Sequence, residues 1–152
     1  PYLNDPDVTV RREVARTLEI GMPAKLAKTI VEHVQDEGED EKVRTSLIGA
    51  LDFHAPQDLA FETFINLLRT NQPLPFRERV AYALGRVASK RDVRKLAKLF
   101  QWEEQPYVVA RLAYTLNNLT GVRQSLEADG LLMKSEPGKR DRFIKTWLRG
   151  GA

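Results

Sequence analysis

Four stretches of the sequence, VRREVARTL (10–18), VRTSLIGAL (43–51), FRERVAYAL (76–84) and VVARLAYTL (108–116), align without gaps. Their first residues are separated by 33, 33 and 32 positions. In each stretch the first, fifth and ninth positions are apolar, as Val43, Leu47 and Leu51 are in the second. This spacing places the three side chains on one side of an α-helix. The sequence therefore predicts four related amphipathic helices, and it explains why RVAYAL at 79–84 nearly recurs as RLAYTL at 111–116.

The residues that follow each stretch repeat in the same register. Ala27, Ala60 and Val93 occupy equivalent positions, and further apolar positions follow them at helical spacing. Pro23 and Pro56 mark the turns that precede these second helices, because proline is tolerated in the first turn of a helix and not in its interior. Each period thus predicts two amphipathic helices. A fixed period of this size is typical of a solenoid.

The repeated pattern of Asp or Pro, then Val-Arg, then an aliphatic residue, then Ala-Leu resembles the HEAT repeat. It is most similar to the short bacterial HEAT-like repeats of the phycobilin-lyase type. The resemblance covers residues 5 to about 120 and implies an all-α fold, an α-solenoid of about four HEAT-like helical hairpins. The repeats are expected at about 5–38, 39–72, 73–104 and 105–122, the last with a degenerate second half.

The resemblance also implies a role for the arginine that follows the first apolar position of each repeat. This residue is Arg11, Arg44 and Arg77 in the first three copies, and Val109 replaces it in the fourth. In the family such an arginine bonds the turns of adjacent repeats. We therefore expect the three arginines to be structural.

The period fails after Gly121, and a different helix is expected near the end of the chain. KRDRFIKTWLRG (139–150) places Phe143, Ile144, Trp147 and Leu148 on one helical face. Terminal repeats must cover an open core, so we expect a C-terminal capping helix with Trp147 against the last repeat, within a single domain of residues 1–152. The alternative is that its basic residues bind a membrane surface or a nucleic acid.

Composition restricts the classes of protein that the chain can belong to. The 42% hydrophobic and 30% charged content is typical of a soluble folded protein. No apolar run approaches the roughly 20 residues that span a bilayer, so no membrane span is expected. Cysteine is absent, which excludes disulfides, favours the cytoplasm and is compatible with the periplasm. Because the chain opens on Pro1, we expect it to be part of a longer protein.

Charge is distributed unevenly along the chain. Residues 1–73 hold 8 Lys+Arg and 13 Asp+Glu, a net charge of −5, whereas residues 74–152 hold 16 and 8, a net charge of +8. Such polarity can steer an acidic partner to the basic half or promote head-to-tail contact between copies. The acidic run DEGEDE (36–41) lacks the ligand spacing of a calcium loop and is interpreted as a solvated turn.

The search for catalytic residues favours a protein that is not an enzyme. His33 and His54 have no carboxylate or nucleophile at a suggestive spacing, and two isolated histidines do not make a zinc site. No phosphate-binding loop or nucleophile elbow is present. We therefore predict no catalytic residue, no metal and no cofactor.

A partner-binding site is predicted on the second helices, which line the concave face in HEAT solenoids. Phe61 and Ile65 are apolar where the equivalent residues of the other repeats are charged, and they lie four residues apart on one helix face. An exposed apolar pair with a charged rim is typical of a protein contact. The predicted site is therefore formed by Lys28, Phe61, Ile65, Arg94, Lys95 and Lys98. The alternative is that solenoid curvature buries the pair under a neighbouring helix.

The predicted function is a non-catalytic scaffold that binds a protein partner, one bearing acidic residues, on its concave face. The first alternative is a nucleic-acid-binding solenoid, favoured by the pI of about 9.3 and by KRDVRKLAK (90–98), which however lacks interleaved aromatic residues. The second is a lyase or an accessory subunit of an enzyme, which rests on fold-level analogy alone.

Overall fold

The computed structural model describes residues 2–124 and 137–150. Every regular element in these ranges is helical, which confirms the predicted all-α fold for the described part of the chain. The α-helices are α1 Val8–Ile20, α2 Ala27–Gln35, α3 Glu41–His54, α4 Gln57–Arg69, α5 Leu74–Val87, α6 Val93–Trp102, α7 Pro106–Thr120 and α8 Pro137–Gly150. Short 3-10 turns cover Tyr2–Asn4, Ala24–Leu26 and Lys90–Asp92.

The four aligned stretches form the middle of α1, α3, α5 and α7, as their apolar spacing predicts. Two of these helices begin with a side-chain cap, since the Asp7 carboxylate accepts from the Thr9 backbone N–H at 2.8 Å and Asp40 accepts from Lys42 at 3.1 Å. Gly121 ends α7 in the left-handed conformation, with φ of 72°, which only glycine adopts without a steric penalty. Local sequence therefore accounts for where these helices begin and end.

The chain forms two compact units, Pro1–Val87 (unit 1) and Ala88–Ala152 (unit 2). In unit 1, α1 and α3 lie side by side and run in the same direction. Arg12 near the start of α1 contacts the Asp40 carboxylate before α3 at 2.6 Å, and at the other end the His54 ring lies 3.0 Å from the Glu19 carbonyl. Helices α3 and α5 are joined in the same way, by Arg44 and Gln72 at one end and by Asp52 and Arg86 at the other.

The repeated arginine has the structural role that the resemblance implies. Arg11 donates to the Asp5 carbonyl at 2.7 Å and to the Glu39 carboxylate, which lies just before α3. Arg44 is buried, donates to the Val34 carbonyl at 2.9 Å and to the Gln72 side chain at 2.8 Å, and lies over the Phe76 ring.

The third arginine completes the series. Arg77 donates to the carbonyls of Leu68 and Thr70, both at 2.9 Å. Each arginine thus satisfies carbonyl groups at the end of a preceding helix or turn, groups that a helix C-terminus leaves without an intrahelical partner. The prediction that these three arginines are structural is confirmed within unit 1.

Unit 2 is built from α6, α7 and α8, and its core contains Trp147. This side chain is fully buried, meets the Phe100 ring edge-on with centroids 4.9 Å apart, and donates its indole N–H to Asn117 at 2.8 Å. The expected packing of Trp147 is confirmed, although Leu148, predicted on the same buried face, is exposed. The connection expected between α7 and α8 lies mostly outside the described residues, because residues 125–136 are not described.

Candidate protein-binding surface

The apolar pair that was predicted as the exposed centre of the partner site is buried. Phe61 is 3% exposed and Ile65 is not exposed at all, so the prediction of an exposed apolar pair is wrong. The physical reason is that α4 packs against both α3 and α5, which leaves only a narrow stripe of its circumference in solvent. That stripe is polar and consists of Asp58, Glu62, Asn66 and Arg69.

The burial of α4 could have been read from its own sequence. Phe61, Phe64, Ile65 and Leu68 follow the i, i+3, i+4, i+7 spacing of a core-facing stripe. The equivalent positions of the other repeats indicated exposure instead. That comparison holds only if every second helix has the same number of neighbours. The other predicted site residues are exposed: Lys28 lies on α2 in unit 1, and Arg94, Lys95 and Lys98 lie on α6 in unit 2.

Helix α6 separates apolar from basic residues sharply. Its buried side carries Val93, Leu96, Ala97, Leu99 and Phe100. The exposed side carries Arg94, Lys98 and Trp102 at intervals of four residues, and Lys90 lies one turn before them in the preceding 3-10 turn. We call Lys90, Arg94, Lys98 and Trp102 the α6 row.

Trp102 is the functional candidate that the sequence analysis missed. Its side chain is 73% exposed, an unusual position for the largest apolar side chain, whereas Trp147 in the same unit is fully buried. The signal that could have identified it is its spacing, since it continues the interval of four residues set by Arg94 and Lys98. A tryptophan at the end of a basic row combines an apolar anchor with cations that attract a negatively charged ligand.

Both ends of α6 are held by side-chain hydrogen bonds. At the N-terminal end, the Asp92 carboxylate accepts from the Ser89 backbone N–H at 2.9 Å and from its hydroxyl at 2.7 Å. At the C-terminal end, Arg140 of α8 donates to the carbonyls of Phe100 at 3.2 Å and Gln101 at 2.8 Å. The α6 row is therefore presented on a fixed helix, which lowers the conformational entropy lost when a ligand binds.

The field around the α6 row is positive. The described residues of unit 2 contain 12 Lys+Arg and 4 Asp+Glu, a net charge of +8, whereas unit 1 contains 11 and 14, a net charge of −3. Within residues 2–124 and 137–150, Arg94 and Lys98 form no ion pair with a carboxylate. Their charges remain available to an acidic ligand and add to the long-range attraction that unit 2 exerts on it.

Unit 1 contains a polar groove between α1 and α3 with a volume of about 500 Å³. It is lined by Arg12, Glu13, Arg16, Glu41, Lys42, Thr45 and Ser46. Several of its charged side chains form ion pairs, since Arg16 pairs with Glu13 and Arg12 pairs with Asp40. The hydrogen bond from Arg12 lowers the pKa of the Asp40 carboxyl from 3.8 to about 2. When Asp40 is counted with the lining residues, three cations face three carboxylates, so the groove has no surplus of either charge that would select an ionic ligand.

Among the described residues, no group of three or more His, Cys, Asp or Glu side chains is arranged to hold a metal ion. The described helices include none that is both long and apolar enough to cross a membrane. No family model, curated protein or solved structure matches the chain. The HEAT-repeat resemblance therefore stays a prediction.

Proposed function

We propose that this protein is a non-catalytic α-solenoid scaffold of HEAT-like hairpins whose α6 row binds an acidic segment of a partner protein. The observation that carries the proposal is the exposure of Trp102 on the same side of one helix as Arg94 and Lys98. An exposed tryptophan beside cations can bury apolar surface and meet carboxylates in a single contact.

The solenoid part of the proposal is supported by the repeat geometry of unit 1. Helices α1, α3 and α5 occupy equivalent positions of a 33-residue period, and adjacent members are joined at both ends. Their three arginines bond the intervening turns. In a solenoid each repeat contacts mainly its neighbours, and contacts of this kind recur with the period.

The residue types of the α6 row support protein binding. Tryptophan and arginine are enriched among the residues that contribute most of the binding free energy at interfaces. The lysines contribute more to the association rate and its salt dependence than to the affinity, as charges at the rim of an interface do. A short acidic segment with one apolar side chain is the simplest ligand that uses both parts of the row.

Binding of single-stranded nucleic acid is a second candidate, favoured by one observation. Unit 2 exposes Tyr107 and Tyr114 as well as Trp102, so its positive surface does include the aromatic side chains that the stretch 90–98 lacks. Exposed rings beside Lys and Arg can stack on bases while the cations contact phosphates.

Peptide selection with charge-reversed variants tests the proposed function. A random peptide library is selected on the wild-type protein, and the enriched peptides are measured by fluorescence anisotropy. We expect enrichment of Asp and Glu around an apolar residue, since these groups complement the cations and the indole. Both Arg94→Glu with Lys98→Glu and the single variant Trp102→Ala should weaken binding at least about tenfold.

The matched control reverses two exposed cations of α8 in the same unit, Lys145→Glu with Arg149→Glu. This control changes the net charge equally and should weaken binding much less, because these residues lie outside the α6 row. Equal losses in both charge variants would reduce the effect to net charge and contradict the proposed site. Tighter binding of an oligothymidylate than of any selected peptide, with a steep salt dependence, would establish the nucleic-acid candidate instead.

A further inference from the structure

A second surface lies on unit 1, where the C-terminal halves of α1 and α3 meet α5. Glu19 of α1 reaches past α3 to Arg79 of α5, and its carboxylate lies 3.2 Å from the guanidinium. Gly49 leaves room for this crossing, because a Cβ atom at that position would force the Glu19 carboxylate to move. The bridge ties together helices whose residues lie 60 positions apart in sequence.

The neighbouring part of this surface is an arginine stacked on a phenylalanine. The Arg86 guanidinium lies 4.4 Å from the centroid of the Phe53 ring and donates from Nε to the Asp52 carboxylate at 3.1 Å. The Asp52 side chain is only 1% exposed, and burial raises the pKa of its carboxyl despite the nearby Arg86. The ion pair with this buried acid fixes the Arg86 guanidinium against the Phe53 ring.

The contacts close into one continuous patch. Arg79 approaches the Tyr82 ring at 6.0 Å, and Phe53 neighbours His54, whose ring nitrogen lies 3.0 Å from the Glu19 carbonyl. Ile20 follows Glu19 at the end of α1, and we call the patch together with Ile20 the outer cluster. Its members are Glu19, Ile20, Phe53, Arg79, Tyr82 and Arg86.

Three large side chains of the outer cluster, one aliphatic and two aromatic, are exposed to solvent. Ile20 is 84% exposed, Phe53 53% and Tyr82 38%. Ile20, Phe53 and Arg86 occupy equivalent positions of the 33-residue period, so one repeat position supplies two apolar side chains and the arginine that stacks on one of them. Exposed apolar groups that adjoin one another mark interaction surfaces, whereas isolated ones do not.

The charge of the outer cluster determines which ligand fits. Arg79 is paired with Glu19 and Arg86 with Asp52, so the cluster together with the buried Asp52 has no net charge, in contrast to the positive unit 2. A polyanion or an acidic segment would have to compete with carboxylates that already occupy both guanidinium groups. A second copy of this surface is likewise without net charge, so two copies can approach each other without the mutual repulsion that two copies of the positive unit 2 would experience.

We propose that the outer cluster is a self-association surface through which two copies of this chain pair symmetrically. Ile20 and Phe53 supply the apolar contact, and the ordered Arg79 and Arg86 form its polar margin. Because a buried aromatic contributes only about 150–250 Å², the cluster offers a few hundred Å² per copy. This is less than the roughly 800 Å² per partner of a standard interface, so we expect a weak dimer with a Kd on the order of 0.1–1 mM.

Sedimentation velocity of the full chain tests this proposal over protein concentrations from about 10 µM to about 1 mM, which bracket the expected Kd. The wild-type average mass should rise towards that of a dimer and no further. Ile20→Ser with Phe53→Ser should weaken association at least about tenfold, because it removes the apolar contact. Trp102→Ser removes an exposed aromatic from unit 2 and is the matched control, which should associate like the wild type.

Salt provides a second readout that distinguishes this surface from the α6 row. An apolar contact should persist in 1 M NaCl, where the Debye length is about 3 Å, whereas pairing of opposite net charges should disappear. A wild-type protein that stays monomeric, association that salt or Trp102→Ser abolishes, or masses beyond the dimer would each overturn the proposal. If the double variant does not fold, Ile20→Ser alone tests the same contact at the most exposed position. The result is independent of the proposed function, because no residue of the outer cluster lies in unit 2.

Discussion

At the scale of single residues, Arg44 shows how a charge is accommodated inside the repeat. Its side chain is buried, and its guanidinium is satisfied by the Val34 carbonyl, the Gln72 side chain and the face of the Phe76 ring. Burial of an unpaired guanidinium would be strongly unfavourable, so these partners are the reason that the charge can be tolerated. The arginine in turn donates hydrogen bonds to two buried acceptors, the Val34 carbonyl and the Gln72 side-chain oxygen, which would otherwise need water.

Truncation of Arg44 should therefore lower the free energy of unfolding substantially. We expect Arg44→Ala to lower the free energy of unfolding by about 2–4 kcal/mol, since it leaves the Val34 carbonyl and Gln72 without their donor. Arg16→Ala is the control, because Arg16 forms only an exposed ion pair with Glu13 and should cost less than about 1 kcal/mol. Urea unfolding measures both variants, and equal losses would show that Arg44 is not needed to satisfy those groups.

The lowered pKa of Asp40 predicts that part of the protein's stability is lost in acid. Arg12 and the first backbone N–H groups of α3 lower the pKa of its carboxyl from 3.8 to about 2 in the folded protein. The ionised Asp40 carboxylate therefore contributes its full stabilisation above about pH 4, and this contribution is lost as pH falls from about 4 to about 2. The wild type should therefore lose its stability advantage over Asp40→Asn across that interval, as thermal melts at several pH values would show. An advantage that stays constant down to pH 2 would contradict the lowered pKa.

At the scale of elements, α4 differs from the other second helix of unit 1 by the number of its neighbours. It packs against α3 and α5, whereas α2 packs against α3. A wide arc of α4 is consequently apolar and only one polar stripe remains in solvent. The position of a helix in its stack, and not its place in the repeat, sets which of its side chains are accessible.

The burial of Phe61 and Ile65 leads to an expectation opposite to that of an exposed binding site. The double variant Phe61→Ser with Ile65→Ser should lower the free energy of unfolding by more than about 4 kcal/mol, because it creates cavities and buries hydroxyl groups. Asn66→Ser on the exposed stripe of the same helix is the control and should change it by less than about 0.5 kcal/mol. A double variant that melted like the wild type would restore the exposed-site interpretation.

The repeated leucines are core residues, as their spacing predicts. Leu18, Leu51, Leu84 and Leu116 are all buried. Leu84→Ala should cost about 2–5 kcal/mol, as is typical of a core leucine. Leu74→Ala makes the same chemical change on α5 at a position that is 43% exposed, and chemical denaturation should show a much smaller loss for it. A loss below about 0.5 kcal/mol for Leu84→Ala would mean that the apolar stripe does not face the core.

At the scale of the whole molecule, α8 completes the core of unit 2. Trp147 covers Phe100, and Arg140 satisfies carbonyls at the end of α6, so the last helix both fills the core and supports the helix that carries the α6 row. Loss of α8 would expose apolar surface on α6 and α7 together. Binding at the α6 row and the integrity of the C-terminal helix are thereby linked.

Deletion of residues 139–152 should consequently destabilise unit 2 and cause aggregation or fraying from that end. Hydrogen exchange should show faster exchange in α6 and α7, with smaller changes in α1 and α3, because stability is not uniform across a structure. Deletion of residues 151–152 alone serves as the control and should leave exchange unchanged. A truncated protein that remains monomeric with unaltered melting would make α8 an appendage and favour a separate role for its basic residues.

Several features follow from local sequence. The positions of α1, α3, α5 and α7 and the burial of the repeated leucines were predictable from apolar spacing that recurs every 32 or 33 residues. The burial of Trp147 was predictable from the apolar face of α8, which lies outside the repeat. The structural role of Arg11, Arg44 and Arg77 was implied by the resemblance to HEAT repeats. The basic character of α6 was equally visible, because Arg94, Lys95 and Lys98 alternate with an apolar side.

Other features depend on which helices lie next to one another in space. Phe61 and Ile65 are buried because α4 has neighbours on two sides. A comparison of repeat positions does not reveal how many helices pack against α4. The outer cluster exists because residues as far apart as Glu19 and Arg79 meet across Gly49. Trp102 and Trp147 are the same residue type on two helices of unit 2, yet one lies in solvent and the other in the core. Exposure is set by the atoms that surround a side chain, and long-range packing supplies those atoms.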